Sequence, residues 1–176
     1  MVFLIYMRGE RMNVADLFKM QKALDEKIEA NYKAEEKITK LRIAVAVELS
    51  EFLNEWKQFK YWSKSKKKDT EKMLVEYADG LHMILSLGLA LGIELRHVDV
   101  IKNGTIYDKV LKVLHILTND IFKDDESYRE VSLYYYEILL GTYLGIAKDV
   151  GFTESDIIIS YHMKNMINHK RISEGY

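Results

Sequence analysis

Apolar residues recur at spacings of three and four through Leu17, Met20, Leu24 and Ile28, which predicts a helix over about 14–29. Asn13 is placed to cap it, and Asp16 falls in its first turn, where a carboxylate complements unpaired backbone N–H groups. A second helix is predicted over 36–59, with Leu41, Ala44, Val45, Leu49, Phe52 and Trp56 marking its apolar face. A third is predicted over 70–91, capped by Asp69 and stopped near Gly92. Its stretch 80–92 is apolar almost all round, as in a helix buried on every side, and is too short to cross a bilayer. Further helices are predicted over 106–122 and 128–150, the latter ending at Gly151. The last begins at the capping-box pair Thr153 and Asp156 and runs to about 172. No segment reads as a strand. The pattern predicts an all-α, bundle-like domain of about six helices.

Composition narrows this picture in three ways. The 176-residue chain contains no proline, which removes every obligatory helix breaker. It contains no cysteine, which excludes disulfides, zinc-thiolate sites and thiol nucleophiles and fits a cytoplasmic setting. A formal net charge of -1 argues against a surface that coats nucleic acid. No direct nucleic-acid or membrane partner is expected. Residues 1–12 read as an N-terminal extension and 13–176 as a single domain. A connector carrying Lys57, Lys60, Lys64, Lys66, Lys67 and Lys68 separates the second and third helices and reads as a solvated loop.

The candidate chemistry lies in two acidic pairs, Glu48 with Glu51 and Glu76 with Asp79. Residues three apart share a helix face, and these pairs fall within or beside the apolar faces of the second and third helices. One such pair is commonly an acid at the core edge, answered by a nearby lysine. Two pairs in successive apolar helices point instead to a bound hard cation, since carboxylates are expelled from an apolar interior unless compensated. Asp79 and His82 form one acid-x-x-His in the third helix, whereas a di-iron bundle carries a Glu-x-x-His on each of two helices. Four carboxylates suit Mg²⁺, which takes its remaining ligands from water and phosphate. In the last helix Tyr161, Lys164, Asn165, Asn168 and Arg171 share a polar face opposite Ile159, Met163, Met166 and Ile167. That face suits either solvent or a phosphate and sugar.

Glu48-x-x-Glu51, followed after 24 residues by Glu76-x-x-Asp79, resembles the signature of the all-α nucleoside triphosphate pyrophosphatases. The wider wording is similar to the dimeric-type dUTPases. It comprises residues 48–56 and 59–63, the block Glu76-Tyr77-Ala78-Asp79-Gly80-Leu81-His82, the block Met20 to Asp25, and residues 161–176. Residues 93–155 add little to it. The resemblance implies Mg²⁺-dependent conversion of dUTP to dUMP and pyrophosphate by a homodimer. It implies two or three Mg²⁺ ions on Glu48, Glu51, Glu76 and Asp79, with Glu48 or Glu51 as general base. It further implies that Gln21 recognises uracil, that His82 lies near the deoxynucleoside, and that Tyr161, Lys164, Asn168 and Arg171 bind phosphate and nucleoside. Asn165 is carried with them by its position on the same face. Trp56 and Trp62 are candidates to stack on the base or to line the bundle. Ile172 stands where the family commonly has glutamine. The alternatives are a related pyrophosphohydrolase acting on dCTP or another nucleotide, and a non-catalytic helical interaction protein.

Overall fold

The structure is a computed structural model that describes residues 10–175 apart from 32–34 and 124. The N-terminal extension expected over 1–12 therefore lies outside it as far as residue 9. Six α-helices are found among the described residues: α1 (Ala15–Asn31), α2 (Lys37–Trp56), α3 (Thr70–Ala90), α4 (Ile106–Thr118), α5 (Arg129–Val150) and α6 (Glu154–Ser173). The caps expected from sequence form as predicted. The Asp69 side chain accepts from the Lys72 N–H, and Thr153 and Asp156 make a reciprocal capping box. Asn13 accepts from the Ala15 N–H at 3.1 Å, and Gly151 closes α5 in the left-handed conformation.

Two boundaries and two elements differ from expectation. The second helix stops at Trp56, because Lys57 turns left-handed and returns its N–H to the Leu53 carbonyl; the fourth stops at Thr118. Two strands exist that periodicity does not reveal. β1 (Arg11–Asn13) pairs antiparallel with β2 (His97–Asp99), aligning Met12 with Val98. Three residues are too few to establish a period of two, and each strand buries only its middle side chain. Arg11 and Met12, assigned from sequence to the extension, thus take part in the fold.

α3 is the central helix, packed against α1, α2, α5 and α6. By composition it is long and apolar enough to cross a membrane, yet it lies mostly buried inside the bundle. Residues 93–155, which carry little of the resemblance, buttress it. The rings of Tyr77 and Tyr143 stack at 4.5 Å, and each hydroxyl donates to the other residue's carbonyl, at 3.2 and 2.9 Å. The Tyr136 hydroxyl donates to the Ile84 carbonyl at 3.0 Å. α5 approaches so closely because Gly80 and Gly88 on α3 leave room for the two tyrosine tips. Lys109 is buried with its ammonium 2.7 Å from Asp149 and within reach of the Lys102 and Gly104 carbonyls, tying the loop after β2 to α5.

Candidate active site

α2 and α3 pack along their length and bring the predicted carboxylates together. Oxygens of Glu48, Glu76 and Asp79 lie within 4.8 Å of one another, each on a half-buried side chain. Glu51, one turn beyond Glu48 and more exposed, is outside this triplet but shares a hydrogen bond with Glu76. Burial, followed by the charges of Asp79, Glu51 and Glu76, pushes the Glu48 carboxyl up to about 7. Burial, then the charges of Glu51 and Asp79, raise Glu76. Asp79 is raised by burial despite Lys164, whose ammonium lies 2.5 Å away on α6. Negative charge exceeds its compensation here, so the donor set fits a hard divalent cation: three or four carboxylate oxygens and no nitrogen or sulfur.

Glu48, Glu51 and Asp79 line a cavity of about 610 Å³ together with Lys164, Asn168, Arg171 and Ile172 from α6. A second cavity of about 620 Å³ shares Ile28, Met83 and Asn168 with it. Its apolar walls are Leu24, Leu41 and Ala44, its polar floor is Gln21, Asp25, His82 and Ser86, and Glu29, Lys37 and Lys40 complete the lining. The pair forms one trough, anionic and cationic at one end, apolar with a polar floor at the other. A nucleoside triphosphate has that division of chemistry.

Of the predicted residues, Gln21, His82 and Asn168 line the apolar end, and Glu48, Glu51, Asp79, Lys164 and Arg171 the charged end. Tyr161 and Asn165 lie buried beneath, with the Tyr161 ring stacked at 4.0 Å on His82. Burial holds His82 neutral, with its pKa lowered to about 4. The tryptophans are not brought to the trough. Trp56 is buried in the core against Tyr107, and Trp62 is 64% exposed among Phe59 and Tyr61 on the lysine-rich connector. Asp25 and Ser86 escaped sequence reasoning. Asp25 is one acid in a charged helix end, and Ser86 is a small residue inside an apolar run; only the Gln21–Asp25 spacing of four hinted at them.

Fold and site together define a largely helical protein whose carboxylate cluster shares a cavity with Lys164 and Arg171. A family model described as dUTPase matches residues 13–176, nearly the whole chain, and the chain belongs to the dUTPase family. It is a dUTP diphosphatase, a hydrolase acting on the triphosphate of a deoxyuridine nucleotide. Among curated proteins no relative matches the chain.

Proposed function

We propose that the protein hydrolyses dUTP to dUMP and pyrophosphate with Mg²⁺, the triphosphate lying across the carboxylate cavity and the nucleoside in its neighbour. The observation that carries this reading is the convergence of Glu48, Glu76 and Asp79 within 4.8 Å, with Glu48 and Asp79 lining a cavity shared with Lys164 and Arg171. Glu48, Glu51, Glu76 and Asp79 would hold two or three Mg²⁺ ions. When bound, Mg²⁺ neutralises charge on the phosphoryl oxygens and makes a bound water more acidic. Glu48 or Glu51 takes the proton of the attacking water. Lys164 and Arg171 pair with phosphate oxygens and stabilise the charge that builds there. Lys164 has a second use: its ammonium is the cation on Asp79 wherever no metal is bound.

Pyrophosphate release tests this reading. Turnover of dUTP is expected with Mg²⁺, to vanish in excess chelator, and to exceed that of dCTP at least tenfold in kcat/KM, on the order set by one well-placed base contact. Undiminished hydrolysis in chelator, or a preference for dCTP, defeats it.

The same reading makes the protein a homodimer, supported by α6. Its polar face turns inward, with Tyr161 and Asn165 buried. Its apolar stripe turns outward, with Ile159, Met163, Met166 and Ile167 between 46% and 72% exposed. An apolar helix face of this kind in solvent marks an association surface. Sedimentation is expected to give twice the 20.7 kDa chain mass, and Met163→Glu is expected to yield folded monomer. A parent protein that sediments as a monomer at micromolar concentration removes the proposal.

A further inference from the structure

The connector between α2 and α3 lies apart from the trough, since none of residues 57–69 lines either cavity. It is a built loop all the same. Trp56 anchors its start in the core against Tyr107, whose hydroxyl donates to the Gln58 carbonyl at 3.4 Å. The Gln58 side-chain amide donates to the Lys66 carbonyl at 2.9 Å and closes the loop on itself. Between these points the Lys60 N–H donates to the Lys57 carbonyl and the Ser63 N–H to the Lys60 carbonyl, at 3.1 and 3.0 Å. A loop with its ends joined and its interior hydrogen-bonded holds its side chains in fixed places.

Those side chains are of two kinds. Tyr61 and Trp62 are 85% and 64% exposed, their ring centroids 5.1 Å apart and their planes nearly perpendicular. Phe59 meets Trp62 in the same manner at 6.2 Å, and the Lys60 ammonium lies over the Phe59 ring. Lys64, Lys66, Lys67 and Lys68 are exposed and make no ion pair among the described residues. From Lys57 to Lys68 there are six lysines and no acid, so the net charge of -1 averages a cationic patch with an acidic remainder.

Exposed aromatic surface of this kind marks a contact, and its surroundings select the occupant. A second copy of the patch would set lysines against lysines, which costs free energy. Acyl chains would find rings alone, because no aliphatic side chain occurs over residues 54–72. Open ring faces beside unpaired ammonium groups match the bases and phosphates of an unpaired strand. We propose that this loop binds single-stranded nucleic acid, Tyr61 and Trp62 stacking on bases while Lys64, Lys66, Lys67 and Lys68 pair with phosphates. Contact of this kind tolerates any base sequence, and a duplex, whose base faces are already stacked, is refused. The patch departs from the sequence expectation of no nucleic-acid partner, which rested on total charge. It is independent of the function proposed above.

Fluorescence anisotropy of a labelled oligothymidylate of about 16 nucleotides tests the proposal. The parent is expected to bind it and to lose roughly fiftyfold in affinity between about 50 and 200 mM salt, as about four phosphate contacts on a single strand require. Trp62 emission is expected to fall on binding, against a constant background from Trp56, the chain's other tryptophan, which is buried. Changing Lys64, Lys66, Lys67 and Lys68 together to serine is expected to cost at least ~30-fold in affinity and most of the salt dependence. Melting temperature and dUTP turnover are expected to stay at the parent's values. Trp62→Ala is expected to bind about tenfold more weakly with the salt dependence kept. Four results overturn the proposal: no binding by the parent at the lower salt, undiminished affinity in the lysine variant, equal affinity for a duplex of the same length, or preferential binding to phosphatidylserine vesicles. If the lysine variant does not fold, the parent's anisotropy and Trp62 emission decide.

Discussion

Glu48→Gln is expected to lose dUTP hydrolysis by a factor on the order of 10³ or more, whether Glu48 holds metal or takes the proton. In chelator the same variant is expected to be more stable than the parent above pH 7. The two effects have one cause. Burial and three neighbouring carboxylates hold the Glu48 pKa at about 7, against 4.5 for an ordinary glutamate. Between those values the folded chain retains a proton that the unfolded chain has released. Stability therefore falls as pH rises through that window, and the full penalty is present above about 7. Glutamine carries no charge and does not titrate, so the variant is spared this slope. Glu48 is only half-buried, and the solvent on its open side screens its charge, so the gain is discounted to roughly 1 kcal/mol, or about 2–4 °C in melting temperature. Turnover near the parent's would remove Glu48 from the mechanism. An equally steep loss of stability from pH 5 to 8 in the variant would show that crowding does not force a proton onto this side chain.

The crowding of these acids is also what made the site legible. Glu48, Glu51, Glu76 and Asp79 stand out in sequence because they break an apolar helix pattern, and the spacing of three fixes their shared face whatever the tertiary detail. The six helices were legible for the same reason: their apolar spacings run over three or more turns, and the Asp69, Thr153 and Gly151 signals act within a few residues. What depends on distant partners was not. β1 and β2 are defined by pairing between distant residues, from Arg11 with Asp99 through Met12 with Val98 to Asn13 with His97. The amphipathic pattern of α6 was visible, but whether its polar face turns to water or inward depends on α1 and α3, against which it packs. Tyr161 and Asn165 are buried in consequence. The floor made by Gln21, Asp25, Ser86 and His82 joins α1 to α3 across sixty residues, and Ser86 on its own reads as filler. The aromatic cluster at Trp56, Phe59 and Trp62 reads equally as stacking wall or core, and the chain divides it: Trp56 inside, Trp62 in solvent.

Gly80→Ala is expected to lower the melting temperature by roughly 6–12 °C and to impair hydrolysis as well, although alanine is the better helix former by about 1 kcal/mol. A Cβ at residue 80 would lie 2.2 Å from the Tyr143 hydroxyl oxygen and 3.0 Å from its Cζ. The tyrosine has nowhere to retreat. It is fully buried, stacked on Tyr77 at 4.5 Å, and its hydroxyl donates to the Tyr77 carbonyl at 2.9 Å. Overpacking typically costs about 1–3 kcal/mol, and a buried hydroxyl deprived of its acceptor about 1–3 more, giving roughly 3 kcal/mol after the helix gain. Activity is tied in because Gly80 follows Asp79 and its open side lies 3.5 Å from Glu48 Cβ; whatever widens α3 there separates the acids. The signature that distinguishes this contact from general disruption is rescue. Tyr143→Phe alone is expected to cost about 1 kcal/mol through the lost hydrogen bond. Combined with Gly80→Ala it removes the oxygen nearest the new methyl, and the double variant is expected to melt above Gly80→Ala alone. Strictly additive losses would mean that Tyr143 does not occupy the space that Gly80 leaves, and the close approach of α5 behind the clustered acids would need another explanation.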